Sequence, residues 1–214
     1  MNIKICGLTS LDDALAAIDA GADALGFNFY PDSPRYILPA VCANIQSGLR
    51  NRHAVVLTVG VFVNAPPAFV AEVLDTCDLD LAQLSGDEPP EVMARLIGRA
   101  YKAIRPRTLD EAEHAADEYA PLATNRPALL VDAAQVGMYG GTGQRADWSI
   151  ARRLSAAHSV LLAGGLRPDN VAEAIRQVDP WGVDVASGVE SSPGKKDTHK
   201  MVEFVRAARS ARVE

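Results

Sequence analysis

Residues 128–143 read ALLVDAAQVGMYGGTG, and the succession of chemistry along this stretch decides the reading of the whole chain. It opens with Ala128-Leu129-Leu130-Val131, an apolar run of the length and kind that forms a strand buried on both faces. Asp132 stands directly at the end of that run, where a buried strand surfaces. The chain then passes, without helical or alternating periodicity, into Gly140-Gly141-Thr142-Gly143, whose exposed backbone N–H groups and hydroxyl suit an anion such as phosphate. Taken alone, the segment fits a core strand with a connecting turn equally well. Its neighbours separate the two readings.

Working outward toward the C-terminus, Asp147 caps a helix from Trp148, and residues 160–163 form a strand that ends at Gly164-Gly165. Asn170 with Glu173 opens the next helix, residues 182–185 form a strand leaving through Ser187-Gly188-Val189-Glu190, and 198–209 close the chain as a helix. Toward the N-terminus, strand 101–104 precedes a capping box, Thr108 with Glu111, and strand 79–84 leaves through Ser85-Gly86-Asp87-Glu88 into a helix over 90–97. Residues 54–63 contain a strand, and Asn64-Ala65-Pro66-Pro67 starts a helix, since a first helical turn tolerates proline. Strand 24–29 leads into a proline-punctuated loop, 30–38, and a helix over 39–48. The first strand, 3–5, ends at Cys6-Gly7 before a helix capped by Ser10 that runs to about residue 20.

This is strict alternation of eight strand–helix units averaging about 27 residues, which requires right-handed crossovers and a parallel sheet. The fold expected is α/β, a single (β/α)8 TIM barrel spanning one domain over residues 1–214. An open Rossmann-type sheet comes second, because Cys6-Gly7-Leu8-Thr9 is no G-x-G-x-x-G loop after the first strand.

Composition narrows the function classes. Hydrophobic residues make up 48% and charged residues 22%, as in ordinary globular proteins. A formal net charge of −6 argues against a general nucleic-acid surface, so no nucleic-acid partner is expected. Three cysteines, Cys6, Cys42 and Cys77, without CxxC spacing suggest neither a disulfide framework nor a zinc knuckle. With no apolar run long enough for a bilayer and a start that goes straight into a strand pattern, the expectation is a cytoplasmic protein without membrane attachment.

In this fold the C-terminal strand ends form one active face, so Cys6, Arg35, Gln83, Asp132 and Asp184 are expected to converge with three glycine turns. Gly164-Gly165 and Ser187-Gly188 follow strands seven and eight, where barrels commonly hold phosphate, and Gly141, Thr142 and Gly143 complete the wall. A small phosphorylated substrate is the first inference. His53, His114 and His158 fall away from that face and only His199 could approach its rim, so the proton-transfer groups expected are the thiol of Cys6 and the carboxylic acid of Asp132. Lys4 shares the side of its strand with Cys6; it either pairs with a carboxylate such as Asp184 or tunes the thiol. Arg35 is suited to a carboxylate or an aromatic ring, or is an ordinary solvated arginine. The strand ends lack the His/Asp clusters of a metal-dependent epimerase, so neither a metal nor a cofactor is expected.

The motifs KICGLT (4–9), GADALGFNFYPDSPRYI (21–37), VGVFVN (59–64), AQLSGDE (82–88), LLVDAAQVGMYGGTGQRADWS (129–149), LAGGL (162–166) and DVASGVESSPGKKD (184–197) together resemble the phosphoribosylanthranilate isomerase family over nearly the whole chain. The resemblance implies a metal-free TIM-barrel isomerase of the aldose–ketose, intramolecular oxidoreductase type, monomer or homodimer, acting in tryptophan biosynthesis. The reaction implied is the Amadori rearrangement of N-(5-phosphoribosyl)anthranilate to 1-(2-carboxyphenylamino)-1-deoxyribulose 5-phosphate. Cys6 then matches the general base, Asp132 the general acid, Arg35 the residue that holds the anthranilate carboxylate, and Asp184 a carboxylate near the sugar hydroxyls, with Gln83 expected beside them as a further substrate-binding group. Two departures stand out: Ser85 replaces the usual His of a QLHG motif, and Gln144-Arg145-Ala146 replaces a Lys-Thr-Phe sequence. Two alternatives stand beside this reading: a non-catalytic phosphosugar-binding barrel, which Ser85 favours, and a related phosphoribosyl isomerase of broadened range, whose two-ended substrate would ask for two phosphate sites where one is evident.

Overall fold

The computed structural model describes residues 1–132 and 148–211. Its strands are β1 (Asn2–Cys6), β2 (Ala24–Asn28), β3 (Leu57–Phe62), β4 (Leu81–Leu84), β5 (Ala100–Ile104), β6 (Leu129–Val131), β7 (Val160–Leu162) and β8 (Gly182–Val185). They form a closed parallel barrel in chain order, sealed where Asn2–Ile5 of β1 lies beside Gly182–Val185 of β8. The helices α1 (Leu11–Asp19), α2 (Pro39–Asn51), α3 (Pro67–Thr76), α4 (Pro90–Ala94), α5 (Leu109–Tyr119), α6 (Trp148–Ser155), α7 (Val171–Val178) and α8 (Thr198–Ser210) alternate with them.

Two layers of apolar contact follow from the strand period of two. Outward residues such as Ile3, Ile5, Leu25, Phe27 and Leu162 join the helices in the large core, whereas Val59, Leu81, Tyr101, Leu130 and Leu161 fill the barrel itself. The interior also carries charge. Lys4 Nζ donates to Asp184 Oδ1 and to Gln83 Oε1, each at 3.0 Å, and Gln83 Oε1 accepts in addition from the Tyr101 hydroxyl at 2.9 Å. Of the two roles open to Lys4, the internal pair is thus realised, as a plug beneath the strand ends.

Local signals set several helix starts as expected. Ser10 Oγ accepts from Asp13 N at 3.1 Å, and Thr108 Oγ1 from Glu111 N at 3.2 Å. Others went differently. α4 stops at Ala94 instead of running to residue 97, because Ile97 and Gly98 turn to φ 49° and 75°. Asn170 precedes α7, but its side chain does not cap it: Oδ1 accepts from Arg167 N at 2.8 Å and Nδ2 donates to Gly165 O at 3.0 Å, tying down the loop after β7. Between β8 and α8 lies an unanticipated antiparallel hairpin, β9 (Glu190–Ser192) with β10 (Lys195–Lys196). The expected cap at Asp147 lies outside the described residues.

Candidate active site

Cys6 is the last residue of β1, and its inward position is made possible by the neighbour in register on β2, Gly26. A Cβ at residue 26 would stand 2.6 Å from Cys6 Sγ, so the absence of a side chain there is what seats the thiol at the barrel mouth. The next residue, Gly7, has φ 75°, and the Arg35 side-chain stem lies where its Cβ would be. Arg35 is thereby laid across the end of β1.

These residues open onto a cleft of about 290 Å³ at the C-terminal strand ends, which Cys6, Arg35, Gln83, Ser85, Asp132 and Asp184 all line. Asp132 follows β6 directly, its backbone N–H bonded to Ile104 O at 3.0 Å. Asp132 and Asp184 also border an adjoining alcove walled by Gly164, Gly165, Ser187 and Gly188. The two glycines after β7 have φ 92° and 66°, and a Cβ on Gly188 would strike the Leu166 carbonyl, so both turns need glycine for backbone reasons. Ser187–Val189 forms one turn of 3-10 helix after β8, in the place where barrels use a short helix for phosphate. The third glycine turn, with Gly141, Thr142 and Gly143, lies outside the described residues.

The polar groups of the cleft are arranged by one another. Gln83 lines it, with its amide already spanning Lys4, Tyr101 and, through Nε2 at 3.0 Å, the Ser85 hydroxyl. Arg105, one residue beyond β5, lines the same wall and donates from Nη2 to Ser85 O at 2.6 Å. Burial pushes the Cys6 thiol above its ordinary value, with Lys4 pulling in the opposite direction and Asp184 adding to the rise. Positive charge next to the thiol is therefore present as expected, but desolvation outweighs it. For Lys4 itself burial opposes the charge, and Asp184 with Cys6 and Tyr101 more than restores it, so the lysine is held above the usual range.

His199 lines neither the cleft nor the alcove; it is exposed on α8 and lies 3.3 Å from Glu203 one turn on, as its i,i+4 spacing dictates. Sequence reasoning passed over Arg105, Asn28 and Ser33 of the cleft lining, and Glu190 and Lys196 behind Arg35. Arg105 was within reach, since it stands one residue past a strand end. Of the two partners of the Glu190 side chain, Lys196 is six residues on in a polar stretch that marks neither residue as buried, and Arg35 is 155 residues away. Among the described residues no group of three or more His, Cys, Asp or Glu side chains could hold a metal ion, and no helix is long and apolar enough to cross a membrane.

Fold and site together define a (β/α)8 barrel whose strand ends carry one polar cleft with a glycine-walled alcove. Comparison with known proteins gives the family. Residues 3–207 match the sequence model for N-(5'-phosphoribosyl)anthranilate (PRA) isomerase. The N-(5'-phosphoribosyl)anthranilate isomerase of Trichlorobacter lovleyi is 48% identical over 99% of both chains, and that of Geobacter sulfurreducens 47% over 98% of both. The crystal structure of phosphoribosyl anthranilate isomerase from Thermotoga maritima superposes with a TM-score of 0.87 at 38% identity, covering 98% of this chain and 99% of that one. A further structure of the enzyme, in complex with reduced 1-(O-carboxyphenylamino)-1-deoxyribulose 5-phosphate, gives a TM-score of 0.84 at 37% identity, over 98% of this chain and 99% of that one. The chain belongs to the N-(5'-phosphoribosyl)anthranilate isomerase family, whose members are isomerases of tryptophan biosynthesis.

Proposed function

We propose that the chain catalyses the Amadori rearrangement of N-(5-phosphoribosyl)anthranilate with Asp132 as general acid and Cys6 as general base. The observation that carries this reading is that a thiol and a carboxyl group from opposite sides of the barrel line one cleft, which adjoins the glycine alcove at Asp132 and Asp184. Asp132 gives a proton to the furanose ring oxygen, and the C1–O bond breaks to leave a protonated Schiff base. Cys6, as thiolate, takes the proton from C2, and the C2–H electrons flow into the iminium to give an enolamine. The enolamine takes a proton at C1 as the C2 hydroxyl becomes a ketone. C1 is reduced and C2 oxidised within one molecule, the internal exchange of an aldose–ketose isomerase.

The surroundings favour this order. Burial keeps the resting thiol protonated more than an ordinary cysteine despite the charge of Lys4, so the step draws on a minor thiolate fraction that a further cation stabilises. The iminium formed by the first step is such a cation. The Gly164–Gly165 and Ser187–Gly188 turns take the 5-phosphate, Asp184 faces the sugar hydroxyls from above its pair with Lys4, and Arg35 meets the anthranilate carboxylate. Gln83 holds this wall in shape.

The test is turnover of freshly generated phosphoribosylanthranilate by the purified protein, with chelator present, beside Cys6→Ser and Asp132→Asn. Conversion by the parent and its loss in both variants is the expected result. Binding of phosphosugar without turnover by the folded parent would make the barrel a binding protein.

A further inference from the structure

Arg35 does not reach the cleft from an unsupported loop. Its Nε and Nη2 donate to the two carboxylate oxygens of Glu190, each at 2.8 Å, and the Glu190 side chain is only 5% exposed. Glu190 is held in turn. Lys196 Nζ, fully buried, donates to Glu190 Oε1 at 2.9 Å and to Ala186 O at 3.1 Å, while Lys200 Nζ donates to the Glu190 backbone carbonyl at 2.8 Å.

The rest of the hairpin grips the same loop one residue earlier. At its tip, Gly194 has φ 80° and passes so close to Pro34 that a Cβ would stand 2.8 Å from the Pro34 carbonyl oxygen. Gly194 O accepts from the Thr9 hydroxyl at 2.8 Å, which moors the tip to the loop after β1. Pro34 is braced at the hairpin tip and Arg35 at its base.

A bidentate carboxylate fixes the plane of a guanidinium as well as its distance. With the Nε–Nη2 fork turned to Glu190, Nη1 lies on the opposite edge by covalent geometry, and Arg35 lines the cleft. With Lys196 protonated the three charges sum to +1, so an anionic group entering the cleft still meets net positive charge. Burial opposes ionisation of Glu190, yet its bonds to Arg35 and the charge of Lys196 hold its carboxyl below the usual range.

We propose that Glu190, carried by the β9–β10 hairpin, is a positioning residue for substrate recognition: it sets Arg35 so that its Nη1 edge meets the carboxylate of the aromatic acid. The proposal rests on the reading of Arg35 as the carboxylate-binding group. Glu190 itself touches no substrate.

The experiment compares phosphoribosylanthranilate with its aniline counterpart, which lacks the carboxylate, on the full-length protein. Glu190→Gln keeps the size of the side chain but replaces one acceptor of the fork with a donor. It is expected to raise KM for phosphoribosylanthranilate about tenfold, with kcat within about twofold and the aniline compound unaffected. In an Arg35→Met background the same substitution should have no effect, and Glu190→Asp should recover part of the loss. Thr9→Val, which loosens the tip and leaves every charge in place, should raise the same KM by a smaller factor, and it serves if Glu190→Gln does not fold. Equal losses on both substrates, an effect that adds to Arg35→Met, or tighter binding by Glu190→Gln would overturn the proposal. If Arg35→Met leaves discrimination between the two substrates intact, the reading of Arg35 fails. If Arg35→Met abolishes discrimination and Glu190→Gln does not reduce it, only the positioning role fails.

Discussion

Substituting Gly26 by alanine adds one methyl group, and the structure says where it goes. The new Cβ would stand 2.6 Å from Cys6 Sγ, 3.0 Å from Cys6 Cα and 3.1 Å from Cys6 Cβ. Non-bonded atoms of this size rest about 3.5 Å or more apart, so the thiol must retreat by roughly 1 Å. The backbone cannot relieve the contact easily, because Cys6 and Gly26 face each other in the β1–β2 register and Gly7 and Leu8 N–H groups both bond Gly26 O, at 2.9 and 3.0 Å. A displacement of that size at a reacting group costs about a hundredfold in rate, equivalent to about 2.7 kcal/mol of transition-state stabilisation. Overpacking should cost stability as well, about 1–3 kcal/mol, which lowers Tm by a few degrees in a chain of this length. The assay is steady-state turnover well below the Tm of the variant, with Cys6 alkylation by iodoacetamide as a second readout of the thiol's surroundings. A kcat/KM within about threefold of the parent, in a variant that shows the Tm decrease, would refute the reasoning: the thiol would then have moved without consequence for catalysis.

Three further outcomes are expected. Because burial raises the Cys6 thiol and Lys4 counteracts this, alkylation of Cys6 by iodoacetamide in the ligand-free protein should speed up with pH along a limb lying above the ordinary thiol value; Lys4→Met removes the cation and leaves Asp184 unneutralised, both of which move the limb further alkaline. A pH–rate profile with its limb at or below the ordinary value, or unmoved in Lys4→Met, contradicts this. Gly188→Ala places a methyl group against the Leu166 carbonyl, which should raise KM at least about tenfold and weaken inhibition by inorganic phosphate, a combination measurable by competition kinetics. Cys42 and Cys77 are buried, and desolvation pushes both thiols up, so under native conditions they should resist alkylation and react only on unfolding, as mass spectrometry of labelled peptides would record.

Much of this molecule is local enough to be read from sequence. The alternation of apolar runs with capped helices determines the barrel, and strand parity places Lys4 on the same side as Cys6, which is why its pairing with Asp184 could be anticipated. What escapes is either a contact between distant segments or a competition among neighbours that residue type does not reveal. The stretch 190–197 is polar and carries no periodicity, and its hairpin exists because Lys196 is buried against Glu190 and Gly194 abuts Pro34. Asn170 looks like a helix cap, yet the Gly165 carbonyl and the Arg167 N–H compete for its amide and win. The shortness of α4 turns on left-handed backbone at Ile97, a residue type that gives no warning of it.

The pair of Lys4 and Asp184 also bears on how the chain acquires its shape. The two are 180 positions apart, so the ammonium leaves the ribosome well before the carboxylate it pairs with. Until the eighth strand has been synthesised, burying Lys4 would strand a cation without its anion, at a cost of several kcal/mol. A nascent chain ending before β8 therefore has a reason to keep its first strand hydrated and unsealed. Completion of the ring waits for the last strand, and a barrel truncated ahead of residue 184 carries its own obstacle to premature closure.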